Sequence, residues 1–302
     1  MAAPLFLLAP PRSYTSLINA MLGQHPQCFG LPELCLFNGR LLKDLWIRET
    51  DEMSDTSRAK QGILRAVAEI YAGEQTKATI TMANHWAAAR ENVPVGEVYR
   101  ELVAKLHPLI AVEKSPAYTI DIQRMFAMHA TFPDARFLHL TRHPVGQCKS
   151  VMQMNDGAFA LYVNSLEFQE DRAVIEPQYQ WHDLNINILN FLDTVPDHQQ
   201  LRIRGEDIMA DPPGQLGAIC RWLQIRDDAE AVDEMMHPER SPFACFGPLP
   251  ALFGNDPNFL RGPSFRPHVP RVPKLDQPLP WRDDGLPLHP RVVALAQEFG
   301  YA

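Results

Sequence analysis

The stretch from Phe6 to Pro26, FLLAPPRSYTSLINAMLGQHP, indicates a buried strand that passes through a tight turn into a helix. Its apolar start is typical of a strand inside a parallel sheet. Leu17, Ile18 and Met21 then recur on one side of a helix. Free backbone N–H groups at the start of a helix, together with the helix dipole, favour a bound phosphate or sulfate. The stretch therefore predicts an anion-binding turn.

The turn also carries side chains that bind anions. Arg12 offers a pair of guanidinium donors, and hydroxyl groups follow at Ser13, Thr15 and Ser16. The ATP-binding pattern G-x-x-x-x-G-K-[ST] is absent, because the turn has no glycine and carries an arginine in place of the lysine. On this stretch alone, an ordinary helix N-cap explains the Ser and Thr residues equally well.

Composition limits the class of protein. The 302 residues include 28 Lys and Arg against 36 Asp and Glu, which gives a formal charge of −8. This balance argues against nonspecific binding to nucleic acid or to an anionic membrane. The five cysteines are scattered without a C-x-x-C pair, so neither a zinc site nor a disulfide framework is indicated. The apolar N-terminal run is too short for a signal peptide or a membrane span. We therefore expect a cytoplasmic protein.

Strand and helix patterns alternate along the chain. Further strands are predicted at Leu109–Lys114, Ala135–Arg142 and Gln199–Asp207. Helices are predicted at about 14–22, 34–49, 57–71, 82–91, 95–105, 115–131, 144–150, 177–194, 213–223 and 289–299. The alternation favours a single α/β domain, with a parallel sheet flanked by helices. A helical insert is expected at about 48–105, and a Pro-rich C-terminal wrap at about 236–288.

The third predicted strand provides a second piece of a site. Arg142 stands at the carboxyl end of this strand, where ligands bind in open α/β sheets. Ser150 follows eight residues later, about two helical turns along the next helix. Taken singly, these residues are better explained as a surface arginine and a buried helical serine.

Together, these elements resemble the PAPS-dependent sulfotransferase family. Pro11–Ser16 resembles the turn P-[KR]-S-G-T-[ST], which holds the 5′-phosphosulfate in that family. The R-H-P motif at 142–144 and Ser150 resemble the family's 3′-phosphate site. RIRGEDIMADP at 202–212 resembles a third element, and the three elements occur in the family's order.

The resemblance is greatest to one branch of the family. This branch includes tyrosylprotein sulfotransferases, bacterial trehalose sulfotransferase-like enzymes and the sulfotransferase domains of polyketide olefin-forming systems. APPRSYTSLINAMLGQHPQCFGLPEL resembles its N-terminal segment and puts Glu33 at the position of the general base. VEKSPAY resembles its K-[ST/D]-P element and puts Lys114 beside the transferring sulfuryl group.

The resemblance implies a P-loop NTPase-like sheet and a defined reaction. A sulfuryl group would pass from PAPS to a hydroxyl acceptor by in-line displacement, with PAP as product and no metal. The acceptor is left open among sugars, lipids, phenols, peptide tyrosine and acyl-chain hydroxyls, whether small or carrier-bound. The implied catalytic residues are Glu33, Arg12 and Lys114. The implied cofactor-binding residues are Arg12, Ser13, Tyr14, Thr15, Ser16, Arg142, Ser150 and Arg261.

The sequence departs from the family pattern at two aromatic positions. Tyr14 replaces the glycine of the turn, and Gly205 stands where many relatives carry a tyrosine near the adenine. Another ring would then stack on the base, with Trp86 and Phe159 as candidates against the alternative that both pack in the core. FLRGPSFR resembles the family's C-terminal R-K-G segment in part, which is the basis for including Arg261.

Two other functions remain open on the residues alone. A nucleotide kinase or phosphotransferase would need a lysine in the turn and an aspartate for magnesium. A catalytically inactive nucleotide-binding or scaffold protein is favoured by the changes at Tyr14 and Gly205. It would bind a nucleotide, or none, without turnover.

Overall fold

The computed structural model describes residues 2–46, 55–154, 157–270 and 272–302, with only the backbone described for 55–59. Among these residues, five strands form one parallel sheet in the order β2-β3-β1-β4-β7. The strands are β1 (Leu5–Leu8), β2 (Cys28–Gly30), β3 (Ile110–Lys114), β4 (Arg136–Thr141) and β7 (Gln200–Arg204). A separate antiparallel pair is formed by β5 (Leu166–Phe168) and β6 (Ala173–Ile175).

Helices follow the strands and cover the sheet. They are α1 (Thr15–Gly23), α2 (Asp55–Ala72), α3 (Lys77–Ala88), α4 (Val95–Leu106), α5 (Ile122–Thr131), α6 (Pro144–Met152), α7 (Ala158–Tyr162), α8 (Pro177–Leu192), α9 (Gly205–Ala210), α10 (Pro212–Leu223), α11 (Ala229–Glu234), α12 (Pro257–Arg261) and α13 (Pro290–Glu298). The predicted parallel sheet flanked by helices is confirmed.

The central strand β1 shows why both faces of the sheet are covered. Its four residues LFLL are all buried, and successive side chains point to opposite faces. Phe6 and Leu8 pack in one apolar cluster with residues of the insert, α5 and α8. Leu5 and Leu7 pack in a second cluster with residues of α1, α9 and α10. A continuous apolar strand is therefore what this position requires.

The prediction of a helix over 34–49 is wrong for the part that the structure describes. The chain there forms two short 3-10 turns, at Leu36–Asn38 and Leu42–Leu45, and 47–49 lie outside the described residues. Cys35, which begins the first turn, has a φ of +48°, a left-handed value that interrupts an α-helix. The predicted helix over 115–131 is likewise a 3-10 turn, Pro116–Ile120, followed by α5.

The predicted insert and wrap have different structures. The insert contains α2, α3 and α4. The wrap is mostly irregular, with the short helix α12 and a 3-10 turn at Pro238–Arg240. Its later part supplies Leu275, Leu279 and Leu288 to an apolar cluster shared with α13. The last helix is thus fixed against the body of the domain by this cluster, which also contains residues of α6 and α8.

Candidate active site

The turn between β1 and α1 has an uncommon backbone. Arg12 has a φ of +67° and Tyr14 a φ of +63°, whereas Ser13 between them does not have a positive φ. Left-handed residues in a turn occur in the nests of backbone N–H groups that bind anions. Left-handed conformations are costly for residues other than glycine, and such strain clusters at functional sites. Tyr14 also stands at the N-cap of α1 without a side-chain cap.

The sheet order brings two cations to this turn. Because β1 lies between β3 and β4, the carboxyl ends of all three parallel strands meet at one edge. Lys114 is the last residue of β3 and pairs in register with Leu7 of β1. Arg142 directly follows the last residue of β4. The two side chains that the sequence placed in separate motifs therefore flank the same turn.

An arginine cluster, formed by Arg12, Arg142 and Ser150, lies on the β4 side. Arg12 donates from Nε to Ser150 Oγ at 3.0 Å. Arg142 donates to the backbone carbonyl of Arg12, and its guanidinium carbon lies 4.3 Å from the centre of the Tyr14 ring. Arg12 also forms an ion pair with Asp256 from the wrap. The structure thus joins Arg12, Arg142 and Ser150 as one cluster.

A lysine cluster, formed by Ser16, Glu33 and Lys114, lies on the β3 side. Lys114 Nζ donates to Ser16 Oγ at 2.7 Å and forms an ion pair with Glu33 Oε1. The Lys114 side chain is 1% exposed and that of Glu33 is 24% exposed. A buried ammonium needs a compensating charge, which Glu33 provides. The carboxylate is the member of this pair that an incoming hydroxyl can reach.

The backbone of Glu33 is held between the insert and the wrap. Its N–H donates to the carbonyl of Gly254 at 2.8 Å, and Gly254 has a φ of +112°. A Cβ at Gly62 of α2 would lie only 1.9 Å from the carbonyl oxygen of Glu33. Side-chain-free positions on both sides therefore allow this close packing. The position of the Glu33 backbone depends on contacts with these two distant segments that no local sequence pattern indicated.

Glu113 supports the same loop from inside the core. This residue of β3 is fully buried, and its Oε1 accepts hydrogen bonds from Ser115 Oγ at 2.5 Å, from the Leu34 N–H at 3.3 Å and from the Tyr118 hydroxyl at 3.3 Å. Burial raises the pKa of Glu113 to about 7, against the opposing effect of these hydrogen bonds. Glu113 therefore links the residue after Glu33 to the sheet.

Two buried hydrogen-bond donors at the turn fit an anionic ligand. Ser13 Oγ and Arg142 Nε have no hydrogen-bond partner among the residues that the structure describes. Ser13 is fully buried. Because buried polar groups are nearly always hydrogen-bonded, such atoms call for an acceptor from outside the chain. A hydroxyl and a guanidinium N–H beside the N-terminus of α1 suit a phosphate or phosphosulfate.

Other predicted residues are placed as follows. Thr15 is buried in the first turn of α1. Arg261 is exposed on α12, where its Nη1 donates to Asn258 at 3.1 Å. Trp86 is 8% exposed in the core of the insert, so the alternative of core packing is confirmed for it. Phe159 lies on α7, with its ring centre 6.4 Å from that of Tyr162.

The sequence did not identify Asp256, Gly62 or Glu113 as parts of the site. Asp256 and Gly62 lie in segments without a motif, and Glu113 was assigned only to a strand. Within the described ranges, no group of three or more His, Cys, Asp or Glu residues could hold a metal ion. In the same part of the chain, no helix is long and apolar enough to cross a bilayer.

Comparison with known proteins identifies the class of this protein. Residues 4–229 match the model of the sulfotransferase family. Because this match covers more than half of the sequence, the chain belongs to the sulfotransferase family. The resemblance inferred from the turn, the R-H-P motif and the third element is thereby confirmed. No curated protein sequence matches the chain.

Two solved structures have a similar fold over the full length. The sulfotransferase domain from the curacin biosynthetic pathway has a TM-score of 0.77 at 22% identity, with 100% of this chain and 99% of that chain covered. The sulfotransferase domain from the Synechococcus PCC 7002 olefin synthase has a TM-score of 0.73 at 25% identity, with 100% and 97% covered. The fold is therefore the P-loop NTPase-like parallel sheet of sulfotransferases.

Proposed function

We propose that this protein transfers a sulfuryl group from PAPS to a hydroxyl acceptor. The observation that carries the proposal is the juxtaposition of two clusters at one strand edge. A strained turn with two unpartnered buried donors lies beside a carboxylate–lysine pair. The first arrangement suits a phosphorylated donor molecule, and the second suits removal of a proton from an acceptor. Membership of the sulfotransferase family makes PAPS the expected donor.

The arginine cluster would hold the nucleotide. The backbone N–H groups of the turn, with Ser13 and Arg12, would bind the 5′-phosphosulfate, since a helix N-terminus and a guanidinium both favour anions. Arg142 and Ser150 would bind the 3′-phosphate. When bound, PAPS supplies an activated sulfuryl group on its 5′-phosphate. Thr15 and Ser16 complete the first turn of α1, and Arg261 remains a proposed contact from α12.

The lysine cluster would carry out the proton transfer. A neutral hydroxyl is a weak nucleophile, so a carboxylate within hydrogen-bond reach must accept its proton. Glu33 takes that proton as the acceptor oxygen forms a bond to sulfur and the bond from sulfur to the 5′-phosphate oxygen breaks in line. Negative charge then develops on the leaving phosphate, where Arg12 and Lys114 stabilise it. The products are the sulfated acceptor and PAP.

The acceptor is a small-molecule or carrier-bound hydroxyl in this proposal. The two similar structures are domains of a biosynthetic pathway and of an olefin synthase. That origin makes a carrier-bound hydroxyacyl chain worth testing beside sugars, phenols and tyrosine peptides. A kinase is less well supported, because the turn lacks both the glycines and the lysine that hold the phosphates of ATP.

The test is a transfer assay in EDTA with PAPS and a panel of those acceptors, followed by mass spectrometry of the products. We expect one acceptor class to gain a sulfuryl group with stoichiometric release of PAP. Transfer of phosphate from ATP with magnesium would support the kinase. PAP binding without transfer to any acceptor would support the inactive nucleotide-binding protein. The matched control is Glu298→Gln, which removes a carboxylate that is 57% exposed and lies on α13.

A further inference from the structure

The Tyr14 ring lies close to both Arg142 and a glycine. The guanidinium carbon of Arg142 is 4.3 Å from the ring centre. A Cβ at Gly205 would lie 2.5 Å from Tyr14 Cδ2 and 3.2 Å from Cε2. Side-chain carbons do not approach this closely, so any side chain at 205 would displace the ring. A large residue at 14 and no side chain at 205 therefore form a matched pair.

The backbone of Tyr14 shows that this position is under constraint. Its φ of +63° and ψ of 8° are left-handed, a conformation that bulky residues rarely adopt. Such a conformation persists only where the surrounding contacts determine it. The ring packs against the apolar cluster of β1, α1, α9 and α10, beside the Arg142 guanidinium and close to Gly205. The ring thus has a defined place at the carboxyl ends of β4 and β7.

The guanidinium of Arg142 has few other restraints in the chain. Its Nη1 donates to the carbonyl of Arg12, while its Nε is buried and has no partner in the described part of the chain. A cation held over an aromatic face is stabilised by the ring quadrupole and is also fixed in orientation. The Tyr14 ring therefore aligns the guanidinium and leaves its Nε for a ligand.

We propose that Tyr14 and Gly205 act as positioning residues for Arg142 and so set the preference of the site for a nucleotide with a second, 3′-phosphate. The inference rests on the proposed function, in which Arg142 binds that phosphate. Tyr14 acts through the guanidinium in this proposal. The pair explains how a turn without the family's glycine retains a nucleotide site.

The test compares PAP with AMP, which differ only in the 3′-phosphate. Calorimetric titration of the wild type should give tighter binding of PAP. Gly205→Ala should lower the PAP-to-AMP affinity ratio roughly tenfold, because the added Cβ moves the ring from beneath the guanidinium. Gly217→Ala on α10 is the control, since its Cβ would meet only the Arg221 guanidinium at 3.4 Å. The control should leave the ratio unchanged.

A double-mutant cycle separates this mechanism from general damage. Tyr14→Gly relieves the left-handed strain, so this variant should fold, and it should lower the PAP-to-AMP ratio as Gly205→Ala does. Adding Gly205→Ala to Tyr14→Gly should then have no further effect on the ratio. An equal loss of affinity for PAP and for AMP in both single variants would overturn the inference. Additive effects on the affinity ratio in the double variant would also overturn it. A wild type without preference for PAP would instead overturn the proposed function, and the inference with it.

Discussion

The arginine cluster and the lysine cluster share one edge of the sheet but are supported in different ways. Lys114 is 1% exposed and rests on a strand whose preceding residue, Glu113, is fully buried. Arg12 is 15% exposed, and its ion pair reaches Asp256 on the wrap. The lysine cluster is thus fixed from the core, whereas the arginine cluster is also held from the surface. The proposed roles predict that a change at Glu33 lowers turnover, whereas a change at Arg142 lowers nucleotide affinity.

The largest expected effect is in the lysine cluster. Glu33→Gln keeps an oxygen that can accept from Lys114 but removes the base, so kcat should fall by about two to four orders of magnitude. The affinity for PAP should change by less than about twofold, because the arginine cluster is intact. Steady-state kinetics and calorimetry measure the two quantities. Turnover at the wild-type rate would exclude Glu33 as the general base.

The matching change in the arginine cluster is Arg142→Ala. It should weaken the binding of PAP by roughly ten- to a hundredfold, because a charge-assisted pair to the 3′-phosphate is lost. The affinity for AMP should change much less. Titration of both nucleotides provides the measurement, and Arg221→Ala, at a side chain that is 62% exposed, is the control. Equal weakening of PAP and AMP would show that Arg142 does not contact the 3′-phosphate.

The support from the core predicts a pH-dependent stability. The pKa of Glu113 is raised from 4.5 to about 7 by burial, so the folded protein keeps a proton that the unfolded chain loses between these values. The stabilisation of the folded state by Glu113 is therefore fully present below about pH 4.5 and is lost as the pH rises to about 7. The Glu113→Gln variant has no ionisable group at this position. Between pH 5 and 8 the wild type should lose on the order of 2 kcal/mol relative to this variant.

Urea unfolding of both proteins at several pH values measures this difference. His139 and His143, whose pKa values burial lowers to about 4, titrate in both proteins, so their effect cancels in the comparison. Glu298→Gln at the surface is the control. Parallel profiles for the wild type and Glu113→Gln would mean that Glu113 does not carry a raised pKa.

The smallest expected effect concerns the ion pair from the wrap. The Asp256 carboxylate competes with an anionic ligand for Arg12. In the wild type, Asp256 caps α12, because its Oδ1 accepts a hydrogen bond from the Asn258 N–H at 2.9 Å. Asp256→Asn retains an N-cap, since asparagine also caps helices. PAP should then bind about two- to fivefold more tightly, as expected for a partly exposed pair. Weaker binding would show instead that Asp256 orients Arg12 for the ligand.

Arg12 and Arg142 could be assigned to one edge from the sequence, because each stands at the end of a predicted strand, whereas Lys114 and Ser150 were added by the family resemblance. Parallel strands bring their carboxyl ends together, so residues far apart in sequence could be assigned to one site. The prediction of a helix failed over 34–46. There Cys35 is left-handed, and its N–H donates to Ser115 Oγ at 3.0 Å, 80 positions away. Tertiary contacts decide the conformation of this segment.

The contacts that support the two clusters could not be predicted from sequence patterns either. Arg12 and Asp256 are separated by 244 positions, and no motif marks the wrap residue. Gly62 has no room for a side chain, because α2 packs against the Glu33 carbonyl, and only the structure shows this contact. The proximity of Tyr14 and Gly205 is likewise visible only in the structure. In space, these two departures from the family pattern compensate each other.

The most direct measurement of the central claim is a calorimetric titration of the wild type without magnesium, first with PAP and then with ADP. Both nucleotides carry two phosphates, but only PAP has one at the 3′ position. Tight binding of PAP with weak binding of ADP is the predicted result, because the proposed function assigns the 3′-phosphate to Arg142 and Ser150. A preference for ADP, or binding of neither nucleotide, would contradict the account.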